Sequence, residues 1–121
     1  MYRNVKIDLI THNADKSEFA LYLIENNPFK DEYSRLSQIQ DRIYDVIDIV
    51  LDGQLASDYP DSMGKAVKIV VDCKKDCPFG KVENLVSSLN VVISSDGEYL
   101  NDIINSNFIS EVSITCVNSE A

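Results

Sequence analysis

One long amphipathic pattern, which runs from Asp31 to Asp58, constrains the fold of this chain more than any other stretch. At about 100° per residue, its apolar side chains fall on one side of a single helix. These side chains are Leu36, Ile39, Ile43, Ile47, Val50 and Leu51, with Tyr44 and Val46 at the edges. A helix with one apolar side buries that side against another layer, so the pattern predicts a layered domain.

Residues with distinct backbone preferences mark the ends of this helix. Ser34 is predicted to be the N-cap, and the carboxylates of Asp31 and Glu32 complement the positive end of the helix. Gly53 either ends the regular helix or interrupts it, because apolar residues continue the pattern beyond it. Pro60 and the turn residues after it close the segment.

A row of four aspartates lies on the side of the helix opposite the apolar residues. Asp41, Asp45, Asp48 and Asp52 are spaced i, i+4, i+7 and i+11. Like charges at i,i+4 repel each other by about 0.2–0.5 kcal/mol per pair, and nothing in the fold requires the row. It is either a solvated helix face or a negatively charged surface kept for a positively charged partner.

The other elements are four strands and two helices. Alternation of apolar and polar residues predicts strands at Val5–Leu9, Phe19–Glu25, Ala66–Cys73 and Glu111–Val117. The turn residues 12–17 join the first two strands as a hairpin. Because both faces of the second strand are largely apolar, we expect it to be a central strand covered on both sides, or one that pairs with a partner.

The helical segments after the third strand complete the predicted fold. Lys81–Ile93 and Glu98–Asn107 follow helical spacing. For the first of them the alternative is a shorter helix and then a strand at Val91–Ser94, since β-branched residues cluster there. The order β-β-α-β-α-α-β predicts a single α+β domain over residues 1–121, in two layers, with helices packed on a mixed four-stranded sheet.

The net charge of −9, from 20 acidic and 11 basic residues, narrows the classes of partner. Nucleic acid and anionic membranes require Lys and Arg that neutralise phosphate, so we expect neither. A basic protein partner fits, because opposite electric fields steer association. The segment Val82–Ala121 contains no Lys or Arg, whereas five lysines lie between Lys65 and Lys81.

The sequence predicts a cytoplasmic protein with reduced thiols. No apolar run reaches the roughly 18 residues of a membrane span, and MYRNVKIDLI lacks the apolar core of a signal peptide. In that compartment Cys73, Cys77 and Cys116 are expected to be reduced. A disulfide between Cys73 and Cys77 is expected only as an adventitious product.

Residues for catalysis or metal binding are sparse. His12 is the only histidine, and three residues separate Cys73 from Cys77 where redox motifs have two. Zinc would need further ligands, and the four glycines are too far apart for a phosphate-binding loop. We therefore expect no enzyme, no cofactor and no metal. A small enzyme that uses Cys77 or a pair of carboxylates is the alternative.

Several segments together carry a resemblance to known proteins. They are Ile7–His12, Leu23–Phe29, Asp52–Ala56 with Tyr59 and Pro60, and Val67–Cys73. In these segments, which span about the first two-thirds of the chain, it resembles a family of small acidic bacterial domains without assigned enzymatic activity. The chain is also similar in character to immunity proteins of bacterial toxin systems, including those of contact-dependent growth inhibition.

The resemblance implies that the chain binds and neutralises a cognate toxin domain, often a nuclease with a basic substrate groove. An acidic surface suits such a groove as a mimic of phosphate. The candidate interface comprises Asp41, Asp45, Asp48, Asp52, Tyr59, Asp96, Glu98, Tyr99 and Asp102. The alternative is a cytosolic interaction or regulatory module that self-associates, although we expect a monomer.

Overall fold

The computed structural model describes residues 7–25, 32–74, 77–95 and 97–118. A four-stranded sheet in the order β1-β2-β3-β4 is formed by Leu9–His12, Glu18–Glu25, Lys65–Cys73 and Ile109–Val117. Strand β1 pairs antiparallel with β2, whereas β2 with β3 and β3 with β4 pair in parallel. The helices are α1 (Glu32–Leu51), α2 (Gln54–Asp58), α3 (Phe79–Ser94) and α4 (Glu98–Ile104), and a short 3-10 helix covers Pro60–Ser62.

This arrangement confirms the predicted α+β class with a mixed four-stranded sheet. Helices connect the parallel strands, and because such connections are almost always right-handed and the strand order does not reverse, these helices are expected on one face of the sheet. On that face Phe19, Leu21 and Leu23 of β2 are at most 2% exposed. The alternate residues of β2 are only half-buried. Strand β2 is therefore central, between β1 and β3, but only one of its faces is fully buried.

The apolar side of α1 packs onto the sheet as its spacing predicts. Ile39, Ile43, Val46, Ile47 and Val50 are each at most 1% exposed. They share one core cluster with the inward residues of the strands, among them Leu21, Leu23, Val67, Ile69 and Val71. Burial of an aliphatic side chain contributes about 1.5–3 kcal/mol, so this seam is the main source of stability.

Gly53 divides the predicted long helix in two. Its φ of 90° is left-handed, a conformation that glycine adopts without steric cost. The ring of Phe108 lies against it, and a Cβ at this position would stand 2.7 Å from Phe108 Cζ. The helix thus ends near Leu51 and restarts at Gln54 because the backbone turns where a side chain would clash.

Several predicted boundaries need correction. The predicted N-cap, Ser34, is wrong, because α1 already begins at Glu32 and Ser34 therefore lies within its first turn. Helix α3 continues to Ser94, which excludes a strand at 91–94. Helix α4 ends at Ile104 rather than at Asn107, and the chain is again extended from Ile109, where β4 begins. Strand β1 lies at Leu9–His12; the predicted Val5 and Asp31 lie outside the described residues.

A cluster of four charged side chains, which the sequence analysis did not identify, joins α1 to the ends of β1 and β2. Arg42 donates to Glu25 Oε1 at 3.0 Å and to Asp8 Oδ2 at 2.9 Å, and Arg35 also binds Glu25. Asp8 Oδ2 accepts a further hydrogen bond from the amide of Ile24 at 2.7 Å. We call Asp8, Glu25, Arg35 and Arg42 the charge cluster.

The charge cluster is largely shielded from solvent, with exposed fractions between 5% and 20%. Glu25 follows Leu23 on the face of β2 that α1 covers and is only 5% exposed. Arg35 and Arg42 are seven residues apart, which places them on one side of α1 next to the apolar stripe. A buried carboxylate is tolerated because two guanidinium groups neutralise it and satisfy its lone pairs.

We predict that Glu25→Gln lowers the free energy of unfolding by about 3 kcal/mol, because it leaves two partly buried arginines without their shared carboxylate. The matched control is Glu18→Gln on the same strand. Glu18 pairs with Lys68 at 3.3 Å in a half-exposed setting, where an ion pair contributes about 0–1 kcal/mol. Urea denaturation measures both variants. An equal loss of unfolding free energy in both variants would contradict a larger contribution from the buried charge cluster.

The outer edge of β4 is protected by one side chain of α3. Asn90 Nδ2 donates to the carbonyl of Ile114 at 2.7 Å, and the amide of Ile114 donates to Asn90 Oδ1 at 3.0 Å. Both backbone groups therefore point away from β3, toward the edge. The side-chain amide takes the place of a neighbouring strand and blocks pairing with another chain there.

We expect Asn90→Ala to destabilise the fold by about 1–3 kcal/mol, since two partly buried backbone groups lose their partner. Asn84→Ala is the control, because Asn84 is an exposed residue on the same helix and such changes stay within about 0.5 kcal/mol. Urea unfolding gives the stability, and sedimentation velocity tests whether the freed edge promotes association. A variant as stable as the Asn84 control would contradict this role.

Candidate functional site

The carboxylates of α1 and α4 form the candidate site, which we call the acidic face. It consists of Asp41, Asp45, Asp48 and Asp52 of α1 with Glu98 and Asp102 of α4. Asp41, Asp52, Glu98 and Asp102 are exposed, whereas Asp45 and Asp48 are half-buried. The row on α1 lies away from the sheet because Ile39, Ile43 and Val50 hold the opposite side of the helix in the core.

Tyr99 connects the two helices of the acidic face. Its ring stacks on Tyr44 of α1, with centroids 5.3 Å apart and planes 19° from parallel. Its hydroxyl donates to Asp48 Oδ1 at 3.4 Å. An aromatic pair of this kind contributes about 0.5–1.5 kcal/mol beyond its burial. Tyr99 and Asp48 therefore hold α4 against α1, and carboxylates from distant parts of the chain share one surface.

Two concave regions flank the aspartate row. At one end, Asp52 and Asp102 line a cavity of about 350 Å³ together with Asn105 and Phe108. At the other end, Tyr33, Leu36 and Leu85 line a groove of about 230 Å³ between α1 and α3, and Tyr33 is 83% exposed. Ser37 also lines this groove and lies one helical turn before Asp41, so the groove adjoins the row. Sequence analysis missed the groove because Leu85 comes from another helix.

Five basic side chains in the described part of the chain pair with carboxylates outside the acidic face. Lys16 pairs with Asp61, Lys68 with Glu18, and Lys74 with Asp72. Arg35 and Arg42 belong to the charge cluster. In residues 7–25, 32–74, 77–95 and 97–118, no ion pair involves the exposed carboxylates Asp41, Asp52, Glu98 and Asp102. These four carboxylates thus keep a negative charge that the basic side chains of the described residues do not offset.

The structure places Tyr59 apart from the acidic face, although sequence analysis grouped them. Tyr59 is 44% exposed and follows α2. It lines a different cavity of about 370 Å³, which we call the Tyr59 cavity, with Ile10, His12, Phe19, Asp58 and Asp61. Asp96, the remaining candidate, lies outside the described residues.

The cysteines differ from the expectation of three reduced thiols. Cys73 and Cys77 form a disulfide, with Cα atoms 5.6 Å apart. The turn after β3, in which the Cys77 amide donates to the Lys74 carbonyl at 3.1 Å, brings them within bonding range. Cys116 is free, and burial, followed by the nearby charge of Glu83, raises its pKa. A buried thiol with a raised pKa is a poor nucleophile.

The described residues contain no group of three or more His, Cys, Asp or Glu side chains that could hold a metal ion. None of the described helices is long and apolar enough to cross a bilayer. His12 Nδ1 makes a 2.8 Å hydrogen bond with the carbonyl of its neighbour Asn13.

Comparison with known proteins identifies the family. The chain belongs to a family of unknown function (DUF6572), whose pattern matches residues 2–106. The match extends from the hairpin through α4 and so includes every part of the acidic face. No curated protein matches the chain. No solved structure matches it either.

We predict that untreated protein reacts with iodoacetamide at one thiol, Cys116, and that three thiols react after reduction and unfolding. Because the pKa of Cys116 is raised, its reaction at neutral pH is slower than that of an ordinary thiol, and its rate continues to rise with pH above about 8.5, where the rate of an ordinary thiol levels off. Intact mass and peptide mapping measure this. Fast labelling of Cys77 in untreated protein would contradict the disulfide and favour the alternative of a cysteine enzyme.

Proposed function

We propose that this member of the family binds a basic protein partner through the acidic face and acts as a bacterial immunity protein. In this role it neutralises a cognate toxin domain, a nuclease, without catalysis of its own. The observation that carries the proposal is the charge of four exposed carboxylates of the acidic face, which lie on α1 and α4 and form no ion pair with a basic side chain in the described part of the chain: Asp41, Asp52, Glu98 and Asp102.

The energetics of the row favour a binding role. Asp41 and Asp45 are one i,i+4 pair, and Asp48 and Asp52 are another, and each costs the isolated helix a few tenths of a kcal/mol. A basic partner converts that repulsion into attraction. Opposite fields accelerate encounter and select against partners of the wrong charge.

The spacing of the row suits a surface that normally receives a nucleic-acid backbone. At about 1.5 Å rise per residue, its aspartates repeat every 4.5–6 Å along the axis of α1. This line of negative charge resembles the regular charge of a phosphate backbone. Bound in the substrate groove of a nuclease, the row would contact the cations that otherwise hold phosphates and exclude the substrate.

The surroundings of the row supply rigidity and apolar contact. Tyr44 and Tyr99 fix α4 on α1, so the carboxylates lose little freedom on binding. The adjoining groove offers Tyr33, Leu36 and Leu85 to an apolar side chain of the partner. Tyrosine is enriched among residues that dominate binding energy, and such anchors complement a charged periphery.

The first experiment identifies the partner. The gene is co-expressed in bacteria with each neighbouring open reading frame that encodes a toxin-like domain, and growth and complex formation are measured. We expect one toxin domain to be neutralised and to co-purify, with its nucleic-acid substrate competing for binding. If no neighbouring toxin is neutralised, the immunity role is wrong.

The second experiment tests the acidic face with that complex. The double variant Asp41→Lys, Asp52→Lys should bind on the order of 100-fold more weakly, mainly through slower association, at about 1.4 kcal/mol per tenfold. The control, Glu83→Lys with Glu111→Lys, alters two exposed carboxylates elsewhere and changes the net charge equally. Equal weakening by both variants would assign the effect to overall charge and not to this face.

The alternative function is a module that self-associates. Exposed apolar side chains near the ends of α3 and α4 favour it: Val91 is 63%, Val92 47% and Ile104 67% exposed. Sedimentation equilibrium separates the two functions. A stable homodimer that Val92→Asp and Ile104→Asp dissociate supports self-association, whereas a monomer with a toxin partner supports the immunity role.

A further inference from the structure

The Tyr59 cavity lies at a different part of the molecule from the acidic face. It forms where the end of β1 and the start of β2 meet the corner between α2 and the 3-10 helix. Ile10 and Phe19 contribute apolar surface, and Phe19 is 2% exposed. Asp58, Tyr59 and Asp61 lie along its exposed rim. Its volume of about 370 Å³ falls in the range of small-ligand sites.

The polar atoms that face this cavity are mostly hydrogen-bond acceptors. A backbone carbonyl can only accept, so the 2.8 Å contact with the Asn13 carbonyl requires that His12 Nδ1 carry the proton. In the neutral form of an imidazole with that tautomer, Nε2 is the acceptor. The carboxylates of Asp58 and Asp61 are acceptors as well, and the Tyr59 hydroxyl accepts when a donor approaches.

One side-chain chemistry matches this combination. Guanidinium has five N–H donors in a plane and no acceptor, and it stacks on aromatic rings while its aliphatic stem packs on apolar surface. We propose that the Tyr59 cavity binds an arginine side chain of a protein partner. The guanidinium would contact Asp58, His12 Nε2 and the ring of Tyr59, and the stem would lie on Ile10 and Phe19.

The existing ion pair at the rim leaves room for this ligand. Lys16 binds Asp61 through Oδ2 at 2.8 Å, while the two side chains are 47% and 67% exposed. An ion pair so exposed contributes little, so a guanidinium can share or replace it. The hydrogen bond from Lys16 lowers the pKa of Asp61 most, and the positive charge of Lys16 lowers it further. This carboxylate therefore stays ionised in weakly acidic solution.

This inference does not depend on the immunity role, because the cavity shares no residue with the acidic face. It can therefore be tested without a partner protein. If arginine fails to bind the cavity while the toxin complex forms through α1, only this inference is lost. If arginine binds while no toxin is neutralised, only the proposed function is lost.

The experiment uses His12 as a built-in reporter, since it is the only histidine of the chain. Nα-acetyl-arginine amide is titrated into the full chain at a constant pH of about 8. Proton NMR follows the imidazole signals. We expect a saturable shift with a dissociation constant on the order of 1–10 mM, as for a single side-chain fragment. The control probe, Nα-acetyl-citrulline amide, has the same shape without the charge and should bind at least about tenfold more weakly.

Variants locate the binding. Asp58→Asn should weaken arginine binding about three- to tenfold, and Tyr59→Ala should abolish the saturable shift, while amide spectra verify that both variants are folded. Asp41→Asn, which removes one charge from α1, should leave binding unchanged. Equal binding of arginine and citrulline, equal loss with Asp41→Asn and Asp58→Asn, or no saturable shift at all would each falsify the inference.

Discussion

The orientation of α1 depends on the buried carboxylate of Glu25. Two arginines of the helix, Arg35 and Arg42, converge on it and on Asp8, and all four groups are largely shielded from water. Charge–charge contacts are strong and directional there, because solvent does not screen them. They fix the rotation of α1 more narrowly than apolar packing, which is non-directional. The cluster therefore reinforces the apolar side of α1, which turns the aspartate row outward.

The acidic face is a composite of two segments that are far apart in sequence. Asp41 and Asp52 come from α1, whereas Glu98 and Asp102 come from α4. Gly53 contributes indirectly, because only a residue without a side chain lets Phe108 pack against the turn that follows α1. Phe108 and Asp102 then line the cavity beside Asp52. The packing of Phe108 on Gly53 therefore helps to place Asp52 and Asp102 beside the same cavity.

The two proposed surfaces use different physics. The acidic face acts through long-range attraction, which governs encounter rates and falls with ionic strength. The Tyr59 cavity acts at contact distance, through the fit of one planar cation to acceptors and an aromatic ring. A partner that bound both surfaces would associate faster because of the acidic face and would be selected more strictly by the Tyr59 cavity. Asn90, which covers the edge of β4 at Ile114, makes strand pairing along β4 a poor third route of association.

The sequence by itself determined the fold class, the strands β2 and β3, and the apolar stripe of α1. Those features depend on local periodicity, which any packing arrangement must respect. Tertiary structure alone decided which side chains meet. Tyr99 lies beside the aspartate row because its ring stacks on Tyr44. Tyr59 lies away from the row because it is placed between α2 and the 3-10 helix, where it faces residues of β1. The charge cluster could not be predicted from the sequence for the same reason. Asp8, Glu25 and Arg42 come together only when α1 packs on the sheet beside the ends of β1 and β2.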